Sequence, residues 1–204
     1  MRTLLALAGA AIAAAASAQS PLPKPVQDVI DRSHASRASY SVAITTEVVW
    51  TSGRHVETDY EYQQGAMHRV EVPLRRIVAN CDTGEGTIND FVAGRYVDGG
   101  DEVKHVCGID VTADPPISGR MLKPVAGPYG RADVIELTGP KFVRRYAVTE
   151  DGIIVANDYI PRSAAVGFSL KTLRSVVRRG PQDPAMFTRQ SLVRSYAPRD
   201  AEPE

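Results

Sequence analysis

The chain has 204 residues with 24 basic and 24 acidic side chains, so no net charge draws it to nucleic acid or an anionic membrane as its main partner. A chain of this length buries about 70% of the surface its unfolded form exposes, enough for a core that needs neither a metal nor many disulfides. Cys81 and Cys107 are its two cysteines, which allow one internal pairing and lack the C-x-x-C spacing of a redox enzyme.

Arg2, the apolar run 4–16 and the small-residue end Ala16-Ser17-Ala18 make the three regions of a cleavable export signal. A retained spanning helix needs about 20 apolar residues, whereas this run is shorter, rich in Ala and broken by the Pro-rich stretch 19–25. A lipid anchor requires a cysteine just after the cleavage point, where Gln19 stands. The expected layout is a signal peptide over 1–18, one antiparallel β domain over 19–190 and a disordered tail over 191–204. The mature chain is then soluble, periplasmic or secreted, and does not span a membrane.

Behind the Pro-rich lead, Val26, Val29 and Ile30 stand at helical spacing and predict a short amphipathic helix over 25–33. From Tyr40 the period becomes two. Tyr40, Val42, Ile44, Thr46, Val48 and Trp50 share one face of a long strand, and a turn at Ser52-Gly53 leads to a second strand. There Val56, Thr58, Tyr60 and Tyr62 alternate with His55, Glu57, Asp59 and Glu61, and Gln64-Gly65 turns into a third strand over 67–72. These make an antiparallel meander.

Further strands are expected over 77–81, 87–97 and 103–109, placing the two cysteines on strands that flank a hairpin. In an oxidising compartment a structural disulfide is the default. Residues 112–131 hold Pro115, Pro116, Pro124 and Pro128 with several glycines, read as a long surface loop. Strands resume over 133–137, 141–148, 153–159 and 170–179, with Glu150-Asp151-Gly152 as a hairpin turn.

Charge is unevenly placed. Residues 82–114 are rich in acids and 141–179 in bases, and mutual neutralisation is favoured over two separate fields. Glu57, Asp59 and Glu61 on one strand face offer a cation site or an acid–base pair, but the solvent side of an amphipathic strand is the favoured reading. His34, His55, His68 and His105 are scattered, form no metal-ligand spacing and read as surface or edge residues. The pairs Arg75-Arg76, Arg144-Arg145 and Arg178-Arg179 invite an anionic headgroup, yet neighbours on a strand point to opposite faces. No nucleophile elbow and no phosphate-binding glycine loop is present. No catalytic residue, metal or cofactor is assigned.

The helix, the long meander and the run Tyr60 to Val72 resemble the periplasmic lipoprotein-carrier superfamily of LolA-like and RseB-like proteins. In that superfamily a glycine turn is followed by Arg-x-Glu, as Gly65 is followed by Arg69 and Glu71 here. Ile77-Val78, Asp82-Thr83-Gly84 and Asp183-Pro184-Ala185-Met186-Phe187 are its further counterparts. The resemblance implies a mainly β fold: a long-stranded antiparallel sheet forming an incomplete barrel, with a short N-terminal helix and few others. It also implies an exported, non-enzymatic module holding an acyl chain or lipoprotein-like apolar ligand in a sheet concavity. The expected lining is Tyr40, Val42, Ile44, Val48, Trp50, Tyr60 and Tyr62, and the alternative is that this face packs on the helix. Candidate partners are a lipid, a lipoprotein or an envelope protein, the last docking through sheet edges and the 112–131 loop.

Overall fold

In the computed structural model, residues 21–99, 103, 105–163 and 167–198 are described. The proposed signal peptide and residues 199–204 lie outside them. The helix, α1, runs Lys24–Ala35 and buries Val26, Val29, Ile30 and Ser33. Pro25 in its first turn fits there, because the first helical amides have no partner within the helix.

The strands are β1 (Tyr40–Trp50), β2 (Gly53–Gln64), β3 (Met67–Val72), β4 (Arg75–Asn80), β5 (Glu85–Asp90), β6 (Arg95–Asp98), β7 (Ser118–Gly127), β8 (Gly130–Thr138), β9 (Phe142–Thr149), β10 (Ile154–Pro161) and β11 (Phe168–Arg179). They form one antiparallel sheet of 11 strands, ordered β6-β5-β4-β3-β2-β1-β11-β10-β9-β8-β7 and not closed into a barrel. The chain therefore enters at the middle and meanders outward to β6. It next passes to the far edge at β7 and meanders back until β11 pairs with β1 along its full length.

Several expectations give way. The segment 87–97 is two strands hinged at Phe91–Gly94, and the described residues of 103–109 form no strand, so Cys81 sits in a turn and Cys107 in a bend. They form a disulfide with Cα atoms 5.4 Å apart. The 112–131 stretch is mostly β7, paired along β8. Its breakers are tolerated because β7 is an edge strand, where a proline forfeits no ladder bond, and the register shifts between Leu122 and Val125 around Pro124. Residues 191–198 are not a loose tail: they carry the end of a 3-10 helix, Arg189–Val193, and fold onto the sheet.

One face of the sheet, the front, carries α1, whose Val26, Val29 and Ile30 cluster with Ile135, Leu137, Tyr146 and Val148. The connection from β6 to β7 crosses the same face. Its Val103 and Val106 cluster with Val70, Ile77, Ala79 and Ile88, while its Ile109 joins the helix cluster. The connection is tied to the end of α1. Ile109 N donates to Ser33 Oγ at 3.0 Å, and the two ring nitrogens of His34 meet the carbonyls of Cys107 and Ile109 at 2.5 and 2.9 Å. Gly108 sits at φ +106°, and a Cβ there would lie 2.8 Å from His34 Nδ1, so only glycine lets strap and helix approach this closely.

The back of β2–β5 is covered by the C-terminal segment. Tyr62 and Val78 cluster with Met186, Phe187 and Leu192. Arg69, with no exposed surface, donates to Glu71 at 2.7 Å, to the carbonyls of Met186 and Arg194 at 2.8 Å each, and to Ser191 Oγ at 2.8 Å. Glu71 in turn accepts from Tyr196 N at 3.0 Å. The Arg-x-Glu pair is thus a structural clamp: a guanidinium with five donors is satisfied by one carboxylate and a ring of chain carbonyls.

Two outcomes check this construction. Replacing both cysteines by Ala is expected to cost about 3–4 kcal/mol in urea denaturation through loss of loop closure; an unchanged midpoint would contradict a structural disulfide. Arg69→Met, which leaves the buried Glu71 with only the more distant Arg76 at 3.7 Å as an ion-pair partner, is expected to cost about 3–5 kcal/mol, with Arg69→Met/Glu71→Met recovering much of it. The single variant should also open residues 184–196 to protease.

Candidate functional site

Between the crossing connection and the middle of the sheet lies a cavity of about 440 Å³. Its apolar wall is made by Ile44, Val70, Leu137, Phe142, Ile154 and Leu170, and its rim opens to solvent at Ala113 and Asp114. The two-residue turn after Trp50 sets what else faces it. Because Trp50 pairs with Gly53, Ile44 pairs with Asp59, Val42 with Glu61 and Thr46 with Glu57. Paired residues share a face, so the carboxylate side of β2 turns inward. Glu57, Asp59 and Glu61 line the cavity, joined by Asp110 and Asp114 from the connection.

This overturns the solvent-face reading of the three acids, and it splits the expected apolar face. Tyr60 and Tyr62 pair with Ala43 and Ser41 and lie on the back, against the C-terminal segment. Tyr40 and Val42 are core, clustered with Ala132, Ala147, Ile153 and Val155. Val48 is buried outside the cavity and Trp50 is 45% exposed. Of the expected lining, only Ile44 reaches the cavity.

Asp59 is the most perturbed acid. Its Oδ1 is buried with no hydrogen-bond partner. Burial first, and then the charges of Glu57 and Glu61, push its carboxyl from 3.8 up to about 7. The flanking acids have company: His55 Nε2 is 3.2 Å from Glu57, and His68 Nε2 lies 3.4 Å from Glu61, within ion-pair reach though not aligned for a hydrogen bond. His68 is 5% exposed, a buried residue rather than the surface histidine expected. Asp110 is paired with His105.

On the opposite wall Arg144 donates to the Tyr146 hydroxyl at 3.0 Å and lies over the rings of Phe142 and Tyr159, 5.4 Å from each centroid. Desolvation lowers its pKa, but Tyr146, Asp114 and Tyr159 outweigh that and raise it. A row of aromatic rings leads from this wall to the strand tips: Phe142 to Tyr159 at 5.9 Å, Tyr159 to Phe168 at 4.8 Å, and Phe168 to Trp50 at 5.0 Å. Among the described residues the mutual neutralisation expected of segments 82–114 and 141–179 is mostly absent. Asp82 pairs with Arg37 and Asp98 with Arg189, while Arg145 pairs with Glu136 and Arg179 with Asp151. Asp114 and Arg144, across the cavity, are where the two segments meet. Among the described residues no group of three or more His, Cys, Asp or Glu side chains is placed to hold a metal ion.

No protein-family model matches the sequence, and no curated protein matches it. Solved structures of similar fold include an uncharacterised conserved protein from Thermus thermophilus, at 15% identity and TM-score 0.47 over 87% of this chain and 97% of that one. MucB is similar at 12% identity and TM-score 0.46, over 81% of this chain and 63% of its own. A LolA superfamily protein from Nitrosomonas europaea is similar at 11% identity and TM-score 0.42, over 81% of this chain and 98% of its own. No helix among the described residues is long and apolar enough to cross a membrane.

The raised carboxyl has a consequence for stability. In the unfolded chain Asp59 ionises near 3.8 and in the folded chain near 7. The folded state therefore holds the proton more tightly, and this contribution to stability is present at low pH and lost as pH rises through about 7. Asp59→Asn is expected to stabilise the protein by on the order of a few kcal/mol at about pH 8 and to make little difference below about pH 4. Denaturation curves over that range check it; parallel pH profiles for the two proteins would refute a buried, unpaired Asp59.

Proposed function

We propose that this chain is an exported, non-enzymatic binding module that takes an apolar chain, such as the acyl chain of a lipid or lipoprotein, into the cavity on the front of the sheet. The observation that carries this reading is the cavity itself. Its 440 Å³ falls within the roughly 300–1,000 Å³ of ordinary ligand sites, and it sets an apolar wall of Ile44, Val70, Leu137, Phe142, Ile154 and Leu170 against a row of charged groups.

Two features of the fold support uptake over simple packing. Helix α1 covers β8 and β9 and leaves the front of β1, β2, β10 and β11 to the crossing connection, which roofs the space without filling it. The aromatic row from Phe142 to Trp50 extends an apolar track from the cavity wall to the strand tips.

Docking of a protein partner through the sheet edges has less behind it. β6 spans only Arg95–Asp98, and β7 is interrupted around Lys123 and Pro124, both devices that blunt an edge against pairing. The specific observation in favour of a partner is the exposure of Val49, Val56, Ile160 and Leu173 on the central strands.

Isothermal titration with straight-chain alcohols of increasing length separates the readings. Each buried methylene contributes about 0.8 kcal/mol, or about fourfold in affinity, until the cavity is full. Leu170→Trp, which occupies cavity volume, is expected to weaken the longer chains by at least about tenfold. No binding at any length defeats the proposal, and loss of activity with Val56→Lys instead of Leu170→Trp favours the partner surface.

A further inference from the structure

The sign of the charge in the cavity constrains what can enter it. We propose that the ligand is a cationic amphiphile, an apolar chain ending in a primary amine, whose ammonium group sits against Asp59 between Glu57 and Glu61 while its chain lies along Ile44, Leu170 and Phe142. This rests on the cavity being the ligand site and adds the chemistry of the headgroup.

The register of the β1–β2 hairpin projects three acids from one strand into a roofed concavity, with side chains about 7 Å apart. On an open strand face water would solvate them. Here the roof contributes two more acids, Asp110 and Asp114. Buried polar atoms are ordinarily hydrogen-bonded, and Asp59 Oδ1 is not. An ammonium group brings three donors on a compact charge and supplies the missing bond.

The nearby histidines and Arg144 already have neighbours of their own. His55 faces Glu57, His68 faces Glu61 and His105 faces Asp110. Arg144 is held on the far wall by the Tyr146 hydroxyl and two aromatic faces and lies toward Asp114, although its Nε, like Asp59 Oδ1, has no hydrogen-bond partner. A bare metal ion fits less well, since no three candidate ligands converge among the described residues, and it would leave the apolar wall unused. A fatty acid would set its carboxylate against this row. An apolar chain with a terminal amine satisfies both walls.

The test is calorimetric titration of the protein with dodecylamine, dodecanol and dodecanoate. Dodecylamine is expected to bind at least about tenfold tighter than dodecanol, and dodecanoate weaker than either. The charges that act on Asp59 are Glu57 and Glu61 on its own strand; Ile44 of β1 is paired with it, and His105, Asp110 and Asp114 on the connection and Arg144 on β9 line the same cavity. As pH rises through about 7 Asp59 ionises, while an alkyl ammonium stays charged up to about pH 10, as lysine does. The preference for amine over alcohol is therefore expected to widen.

Asp59→Asn removes an unpartnered buried charge without changing shape. It is expected to fold and to collapse the ratio of amine to alcohol affinity. Equal affinity for amine and alcohol in the unaltered protein overturns the cationic headgroup but leaves the cavity reading standing. Tighter binding of dodecanoate overturns it in favour of Arg144. No binding of any of the three overturns both readings.

Discussion

A sheet that starts in its own middle must send the chain from one edge to the other, and this constraint shapes the molecule. Having built β2 to β6 outward from β1, the chain has to cross a face to begin β7. Crossing the front puts Val103, Val106 and Ile109 over the sheet, and the space left beneath is the cavity. Hydrogen bonding holds the crossing segment to Ser33 and His34 at the end of α1, and the disulfide holds it to the turn after β4. Helix, crossover and cystine are thus one device, which fixes how far the roof stands from the floor.

The back of the sheet is closed by a different kind of interaction. A buried ion pair adds little net stability but is costly to break from one side, and Arg69–Glu71 works in this way. Its side chains emerge from β3 beneath the 3-10 helices Pro184–Phe187 and Arg189–Val193, and its remaining hydrogen bonds go to that segment's backbone and to the hydroxyls of Ser191 and Ser195. An apolar pair in its place would bury as much surface without fixing where residues 184–196 lie. The Arg-x-Glu motif, read from sequence as a mark of resemblance, therefore has a physical reason that is independent of any ligand.

What was legible in the sequence follows the strength of the local signal. The alternation from Tyr40 to Trp50, the Gly65 turn into β3 and the Asp151-Gly152 turn between β9 and β10 place those strands nearly to the residue, because each is a local pattern. β7 was missed because prolines and glycines argue against a strand in general but not against an edge strand. The ordered 191–198 segment was missed because its partners, Arg69 and Glu71, lie more than a hundred positions away.

The error at the site was one of register. Hydrophobicity invites Tyr60 and Tyr62 to join Val42 and Ile44 on one face, and that pairing requires a three-residue loop, Thr51 to Gly53, with Trp50 opposing Arg54. With Thr51 and Ser52 in the turn, Trp50 opposes Gly53, and every β2 side chain faces the other way. A shift of one residue exchanges the two faces of a strand, so one residue more or less in the turn decides whether the front of β2 is aromatic or acidic. The tyrosines go to the back because the C-terminal segment offers them Met186, Phe187 and Leu192. The acids then take the front, where Asp59 costs stability as long as it stays unpaired. A fold that needed only a packed core could fill this position with an apolar residue. A largely buried carboxyl with one oxygen unpartnered under this roof would be stabilised by the ammonium group of the ligand proposed for it.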